Sequence, residues 1–410
     1  MAKVLPYRAF LYDQSNFEDL SKLISPPYDV INENYRQELL ARSPYNSVQL
    51  CLVSDPADPS RYEKMKSLFQ EWKDKKIIHQ TTKPAFYLIE DQFELDGQLT
   101  SRIGFVGLLE VSAFEKKEVL PHEHTLSGPK IDRLNLLKVM GAELSQIFMV
   151  YRDPQLILER IYETNKNQAP CAELCDDLHI KRRLWLIEDS ASLTAIQNLL
   201  LDQQLLIADG HHRYETALAL YREEPSERNR YAQAYFTNIE NPNFVILPIH
   251  RIIQLPEVTN GAAFKEKLEK IFKLTPIRTG KLQEALSSES NDTLHMIVSF
   301  GESNEHYLMK RNRRDALDLE IFSLHRDIFE GLLGWDVSKL AKGWINYEHT
   351  EPDYLTRLQS LNRSVGFFLP PTDLKAVIHF AKQGQRMPQK STFFYPKLVS
   401  GLVTYELGNF

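Results

Sequence analysis

The chain has 410 residues, of which 43% are hydrophobic, and a formal net charge of −6. This length is ample for a hydrophobic core and predicts two or three domains, while the acidic balance argues against a dedicated nucleic-acid-binding protein. Three cysteines are too few for a disulfide framework or a closed structural zinc site. With no apolar leader after Met1 and no run of membrane-spanning length, we expect a cytoplasmic protein that binds neither nucleic acid nor membrane; the oligomeric state is not predicted.

Apolar periodicity predicts alternating helices and strands along the chain. In chain order they are a helix over 34–41, a helix over 60–75, strands over 85–89, 102–109, 145–151 and 184–187, a helix over 190–200 and a strand over 205–208. Near Pro256 the character of the chain changes, and we place a domain boundary between 1–255 and 256–410. The C-terminal elements are helices over 264–272, 317–333 and 373–382 and strands over 295–300 and 365–369. The mixture predicts an α/β or α+β fold of mixed sheets with helices, with a smaller α+β domain at the C-terminus.

The first polar candidate is the segment SPPYDVI, residues 25–31. Two prolines stiffen the approach to Tyr28 and Asp29, a polar pair ahead of two apolar residues. Asp29 either caps the next element of the chain or lines a pocket together with Tyr28.

A second candidate is the segment VLPHEHTLSGPKIDRL, in which His122, Glu123 and His124 are consecutive. If this segment is a strand, the two histidines share one face and Glu123 points to the other. Pro129 suits the first turn of a following helix, which would place Lys130 and Arg133 near its start as a phosphate-binding pair. We assign Glu123 as a general base; the spacing does not match H-E-x-x-H, and an exposed polar loop is the alternative.

The segment LLIADGHHRYETAL predicts a strand, a turn at Gly210 and a helix. His211, His212 and Arg213 then lie at the start of the helix, where backbone N–H groups and the helix dipole favour an anion. Cationic side chains are unfavourable there unless an anion is near, and arginine binds phosphate in bidentate fashion. The alternative is that Asp209 caps the helix and pairs with Arg213.

Near the C-terminus, MPQKSTFFYPK places Lys390 before an aromatic strand. The segment lacks the P-loop frame, but the lysine could still reach a bound phosphate. An exposed basic turn is the alternative interpretation.

Several of these segments together resemble the bacterial and archaeal family known as domain of unknown function 1015. The matching pieces are PPYDVI, RIGFVG, PHEHT with PKIDRL, SQIFMVY, IADGHHRYETAL and MPQKSTFFYPKLVSGLV. They span nearly the whole chain in the family's order, although the family name implies no activity. The sequence departs from the family at Gln146, where the family's S-P-I-F pattern has proline.

The D-G-H-H-R motif is also similar to the phosphate-contacting motif of the ParB/sulfiredoxin-like superfamily, which includes free-serine kinases that use ADP or ATP. This resemblance implies a ParB/sulfiredoxin-like core and nucleotide phosphates at Gly210, His211, His212 and Arg213. It also implies an acidic base, for which Glu123 and Asp209 are the candidates. ParB-like DNA partitioning is disfavoured because no helix-turn-helix with a basic recognition face is evident.

Three functions remain open from the sequence. The first is a small-molecule phosphotransferase that uses ATP or ADP with Mg²⁺, in which Glu123, Asp209 and His211 are catalytic and the acceptor is a hydroxyl such as that of serine. The second is a non-catalytic sensor of a nucleotide or phosphometabolite. The third is a metal-dependent hydrolase in which His122, His124, His211 and Asp209 hold a divalent metal.

Overall fold

The computed structural model describes residues 2–52, 55, 57–95, 97–125, 127–257, 259–287, 292–315, 317–335 and 344–410, the side chains of 127–129 excepted. The chain forms two compact units. Unit 1 comprises Met1–Val245 and Tyr395–Phe410, and unit 2 comprises Ile246–Phe394. This division differs from the one expected at 255/256 in two ways: residues 246–255 belong to unit 2, and the last residues of the chain belong to unit 1.

The described residues form helices and strands throughout both units. The helices are α1 (Glu33–Arg42), α2 (Val48–Cys51), α3 (Arg61–Asp74), α4 (Ser127–Met140), α5 (Ile157–Asn165), α6 (Ser190–Leu201), α7 (His211–Glu223), α8 (Gly261–Glu269), α9 (Leu282–Ser287), α10 (Glu320–Ser323), α11 (Glu351–Ser360) and α12 (Leu374–Lys382). The strands of the first half are β1 (Val4–Leu5), β2 (Phe10–Tyr12), β3 (Ile78–Gln80), β4 (Phe86–Leu95), β5 (Gln98–Glu110), β6 (Val119–Leu120), β7 (Ala142–Glu143), β8 (Ile147–Tyr151), β9 (Ala172–Cys175), β10 (Lys181–Ile187), β11 (Leu205–Asp209) and β12 (Tyr231–Asn238). The remaining strands are β13 (Val245–Leu247), β14 (His250–Gln254), β15 (Lys273–Ile277), β16 (Thr293–Phe300), β17 (Glu305–Asn312), β18 (Ile345–Glu348), β19 (Ser364–Phe368), β20 (Phe393–Tyr395) and β21 (Tyr405–Glu406).

Unit 1 is organised by a mixed sheet in the strand order β6-β11-β8-β12-β5-β4-β10-β9, with β1 paired to β5. Buried aromatic and aliphatic side chains such as Phe105, Met149 and Phe236 form its core. Strand β12 is buried along its whole length, as expected for a central strand covered on both faces. Mixed sheets with helices confirm the expected fold class.

The pairing of β6 with β11 brings the two histidine-containing segments together. The two strands run parallel, with Leu205 opposite Val119 and Leu206 opposite Leu120. Because parallel strands end at the same edge of a sheet, the residues that follow β6 emerge beside those that follow β11.

Residues near the C-terminus join unit 1 through backbone pairing. Strand β21 pairs with β7, and Thr404 and Ser400 bridge to Phe10 and Ser25 respectively. Such long-range pairing leaves no local pattern, which is why periodicity assigned this segment to the second domain.

A buried cluster of charged side chains holds part of the same segment in place. Asp91 is fully buried between Arg102 and Arg182, with 2.6 Å between Arg102 Nη2 and Asp91 Oδ2. The two arginines also donate to backbone carbonyls, Arg102 to Pro396 (2.7 Å) and Arg182 to Lys397 (3.0 Å). This cluster therefore positions the backbone from which the Lys397 side chain extends.

Unit 2 has an antiparallel sheet in the order β15-β17-β16-β19-β14-β18, backed by a core that includes Phe264, Val298 and Phe367. The continuous helix expected over 317–333 is instead the short α10 followed by π-helical turns at Leu324–Glu330. Apolar periodicity cannot distinguish α from π turns, since both bury one face.

Candidate functional site

The segment around Gly210 has the strand–turn–helix geometry expected from its sequence. Gly210 has φ +85°, a left-handed conformation that glycine adopts without a side-chain penalty. The first intrahelical hydrogen bond of α7 runs from Tyr214 N–H to the Gly210 carbonyl (3.0 Å), so the preceding N–H groups point out of the start of the helix. A Cβ on residue 210 would lie 2.9 Å from Nε of Arg213. Glycine therefore serves both the turn and the close approach of the guanidinium group.

The segments that contain His122 and His211 meet in the interior. The backbone N–H of His122 donates to Nε2 of His211 (3.2 Å), and the two ring centroids are 4.7 Å apart in an edge-to-face arrangement. Both side chains are buried. Since Nε2 of His211 accepts this hydrogen bond, it carries no proton, and His211 is a neutral ring.

A second hydrogen bond fixes the orientation of the His122 ring. Its Nδ1 lies 2.8 Å from the Ile207 carbonyl, which only accepts, so Nδ1 carries a proton. Its Nε2 lies 3.6 Å from Oε1 of Glu123. The Glu123 carboxylate is therefore the acidic group beside the ring nitrogen that faces away from the Ile207 carbonyl.

Alternation along a strand predicts that His122 and His124 share one face, but the structure places their side chains differently. Strand β6 ends at Leu120, so the period of two does not continue. His122 is buried, Glu123 is partly exposed and His124 is exposed.

Two cationic side chains converge on Asp209 at the end of β11. Arg213 Nη2 lies 3.5 Å and Lys397 Nζ 3.1 Å from Asp209 Oδ2. Arg213 Nη1 also donates to the carbonyl of Gln146. Because that acceptor is a backbone oxygen, the family's proline at this position would keep the contact. The pairing of Asp209 with Arg213 proposed as the alternative is thus present, and Lys397 joins it.

A small pocket of about 80 Å³ lies beside Arg213 and is also lined by Tyr28, Arg133 and Glu143. The Arg133 guanidinium carbon is 4.6 Å from the Tyr28 ring centroid, and its Nη1 donates to the Cys51 carbonyl (2.6 Å). This volume equals on the order of a few water molecules, so it suits one small anionic group rather than a whole nucleotide.

The charges around this pocket also act on Tyr28. Burial raises the pKa of its hydroxyl, and the carboxylates of Asp29 and Asp209 act in the same direction, against the lowering effect of Arg213 and Arg133. Tyr28 is therefore a neutral hydrogen-bonding group at physiological pH. Asp29 itself is exposed.

The other basic candidates are placed differently. Lys130 forms an ion pair with Glu215 of α7, and Thr125 Oγ1 donates to the same carboxylate (2.8 Å), so this group ties α4 to α7. Lys390 belongs to unit 2, where its carbonyl accepts a hydrogen bond from Arg251 (2.6 Å). A phosphate-binding role for either lysine stays a prediction.

Sequence reasoning missed Lys397 and Glu143. Lys397 lies in the segment that was singled out for Lys390, and basic character alone does not indicate that Lys397 contacts Asp209. Glu143 carried no motif; its Oε2 accepts a hydrogen bond from the backbone N–H of Gln233 (2.5 Å), across strands that are distant in sequence. No local signal could have found it.

Burial raises the pKa of Glu143 to about 7, although the hydrogen bond from Gln233 and the charge of Arg213 lower it. A carboxyl whose folded pKa exceeds its unfolded value stabilises the fold most below the unfolded pKa, and this contribution is lost as pH rises through about 7. We therefore expect the melting temperature of Glu143→Gln to fall less than that of the wild type as pH rises from about 4.5 to about 7. Thermal unfolding followed by circular dichroism measures this, with Glu71→Gln on the exposed face of α3 as a control that keeps the wild-type slope. Equal slopes for Glu143→Gln and wild type would contradict the assignment.

Gly210→Ala tests the close approach of Arg213. The left-handed backbone costs alanine about 1–2 kcal/mol, and the added Cβ displaces the guanidinium group. We expect lower stability together with weaker anion binding, measured by urea unfolding and by calorimetry with inorganic phosphate. Gly97→Ala is the matched control, since Gly97 also has positive φ (+75°) but no atom within 4 Å of an added Cβ. Phosphate affinity that falls equally in both variants would refute the role of the contact.

Within the described residues, no group of three or more His, Cys, Asp or Glu side chains is arranged to hold a metal ion. No helix in the described ranges is both long and apolar enough to cross a bilayer.

Comparisons with known proteins give one family and several distant structural likenesses. A model of the family described as protein of unknown function (DUF1015) matches residues 4–328. No curated protein matches the chain. Among solved structures, a free serine kinase in complex with AMP is 12% identical, with a TM-score of 0.35, covering 71% of this chain and 88% of that one. C-terminally truncated SbnI from Staphylococcus aureus is 11% identical, with a TM-score of 0.36 and coverages of 72% and 85%. A conserved hypothetical protein from Pyrococcus furiosus is 11% identical, with a TM-score of 0.34 and coverages of 68% and 90%.

Proposed function

Because the chain belongs to the DUF1015 family of proteins of unknown function, we propose its activity from its own residues: a nucleotide-dependent phosphotransferase that acts on the hydroxyl of a small molecule, such as an amino acid like serine. The proposed site lies at the start of α7, beside the buried His122–His211 pair. Its ligand is ATP or ADP with Mg²⁺.

The observation that carries this proposal is the convergence of Arg213 and Lys397 on Asp209 where α7 begins. Asp209 supplies a negative charge beside two cations and a helix N-terminus. A nucleotide phosphate carries more charge and more acceptor oxygens than a carboxylate, so it competes with Asp209 for Arg213 and Lys397. The exchange would release the Asp209 carboxylate to contact the acceptor hydroxyl or the metal ion.

Glu123 is the proposed base. Its carboxylate is partly exposed and lies beside Nε2 of His122, whose Nδ1 is held by the Ile207 carbonyl. A proton taken from the acceptor hydroxyl by Glu123 could pass to His122 Nε2, which keeps the carboxylate available. His211 positions this pair through its hydrogen bond to the His122 backbone.

The residues present fit the phosphates better than the rest of a nucleotide. Arg213, Lys397 and the first-turn N–H groups of α7 would bind the phosphate oxygens, and Gly210 allows close backbone approach. Mg²⁺ would supply further neutralisation of the phosphate charge, and positioning plus charge stabilisation would account for most of the rate.

A non-catalytic sensor of a nucleotide or phosphometabolite is the second candidate, because Arg213 and Lys397 would serve binding alone. The phosphotransferase requires Glu123 as a base, whereas the sensor does not. The hydrolase alternative gains no support from the described residues, since His124 is exposed whereas His122 and His211 are buried.

The test combines binding and transfer on the full chain. Calorimetry with ADP and ATP in the presence of Mg²⁺ measures binding, and ³¹P NMR with serine as acceptor measures transfer. We expect wild type to bind and transfer, and Glu123→Gln to bind with similar affinity but lose about 10²–10⁴-fold in rate. Binding without transfer in the wild type would favour the sensor. Absence of nucleotide binding would refute the phosphotransferase and a nucleotide sensor, and would leave only a sensor of another phosphometabolite.

A further inference from the structure

Unit 2 contains a pocket that the proposed phosphate site does not use. Its volume is about 580 Å³, within the range of small-molecule sites. Its lining residues all belong to unit 2, and apolar side chains such as Ile249, Ile321 and Leu369 form part of the wall. A pocket of this size with a few fixed polar groups is the usual form of a metabolite-binding site.

Charged groups of both signs are built into the buried part of this pocket. Arg251, His295 and Glu320 are all buried and all line it. Hydrogen bonds to the carbonyls of Ile249 and Lys390, both 2.6 Å, hold the Arg251 guanidinium in place. Burying an ionisable group costs free energy unless the group is hydrogen-bonded or paired with an opposite charge. A pocket wall that contains several such groups is therefore a candidate for recognising a charged ligand.

The acidic side of the wall is also held rigidly. Oε1 of Glu320 accepts hydrogen bonds from Arg313 Nη2 (2.7 Å) and from the His295 backbone N–H (3.3 Å). The His295 Nδ1 donates to the Thr293 carbonyl (3.0 Å), so its Nε2 is the ring atom left to meet a ligand. A carboxylate and cationic groups are thus presented together with fixed geometry.

The exposed lining residues select against anions. Asp292, Asp315 and Asp373 are exposed members of the lining, and their carboxylates repel a polyanion such as a nucleoside phosphate at the mouth. Arg251 and Arg313 deeper in the wall disfavour a simple cation. A ligand that carries one positive and one negative charge can pair with the aspartates through the first and with the arginines through the second.

We propose that the unit 2 pocket binds a small zwitterion with an ammonium and a carboxylate group, of the class of free α-amino acids. The carboxylate of the ligand binds Arg251 and Arg313. The ammonium group binds Glu320 and the exposed aspartates at the mouth. Binding of this ligand in unit 2 is separate from the phosphotransferase proposed for unit 1 and does not require phosphate transfer.

The experiment is calorimetry of the full chain with each standard L-amino acid at millimolar concentration. The tightest binder is then compared with the acid that lacks its amino group and the amine that lacks its carboxylate. We expect both single-charge analogues to bind more weakly, and Glu320→Gln to raise the Kd of the amino acid by about 10- to 100-fold. Absence of binding by every amino acid would overturn the proposal, as would analogues that bind as well as the parent.

Two further variants locate the ligand. Asp315→Asn with Asp373→Asn neutralises part of the mouth while asparagine keeps the turn and cap acceptors of both residues; it is expected to weaken amino-acid binding and strengthen binding of the deaminated acid. This double variant decides the question if Glu320→Gln fails to fold. Arg213→Ala in unit 1 should leave amino-acid affinity unchanged. Binding that is lost in Arg213→Ala but kept in the unit 2 variants would place the ligand in unit 1 and refute the inference.

Discussion

Arg213→Ala is expected to raise the Kd for ADP by about 10- to 100-fold, the cost of losing charge-assisted hydrogen bonds to a phosphate. Arg213 lies at the start of α7, with its guanidinium against Gly210 and its Nη2 near Asp209. Without it, a phosphate loses one of the two cationic side chains, Arg213 and Lys397, that lie beside Asp209. Calorimetry with ADP and Mg²⁺ measures the change.

The control is Arg222→Ala, which removes the same charge from an exposed position in the last turn of the same helix. It should leave the ADP affinity within about twofold, because screening weakens a charge far from the ligand. If both variants lose affinity equally, the effect is one of net charge, and the proposed contact is wrong.

Asp91→Asn is expected to lower the free energy of unfolding of unit 1 by about 3–5 kcal/mol, the usual cost of removing one partner from a buried ion pair. Asp91 is fully buried and bridges Arg102 and Arg182, so the substitution leaves two buried guanidinium groups with less compensation. These arginines also hold the carbonyls of Pro396 and Lys397. We therefore expect weaker ADP binding as well, because Lys397 loses its position.

Urea unfolding followed by circular dichroism measures the stability of this variant. Glu163→Gln is the control, since Glu163 pairs with Lys166 at 2.6 Å on the exposed surface of α5 and should change stability by less than about 1 kcal/mol. A loss below that value for Asp91→Asn would show that the buried cluster contributes little. If Asp91→Asn is destabilised but its ADP affinity is unchanged, the buried cluster does not position Lys397 for ADP binding.

The local structure of the candidate site could be read from its sequence with little error. The run Leu205–Ala208 is a strand, Gly210 turns the chain, and Tyr214, Ala217 and Leu218 recur at helical spacing on the buried face of α7. These features depend on side-chain period and on glycine's access to positive φ, both of which are local properties. The helix expected over 317–333 departed from its prediction where π-helical turns replaced α-helical ones.

The domain division and the contacts of the site could not be read in this way. His122 and His211 touch although they are 89 positions apart, because the parallel pairing of β6 with β11 aligns the ends of two strands. Likewise, the association of the last residues with unit 1 depends on the pairing of β21 with β7. Strand partners are chosen by packing of the whole sheet, and no period within either segment encodes that choice.

The sequence by itself determined the strand, the turn and the cationic helix start around Gly210, since those follow from residue types at adjacent positions. The tertiary structure decided that Lys397 contacts Asp209, that Glu143 lines the same pocket as Arg213, and that His124 is exposed while His122 is buried. Each of these depends on distances between segments that are remote along the chain. Those distances are set by sheet register and by the buried charges around Asp91, which act only once the chain has folded.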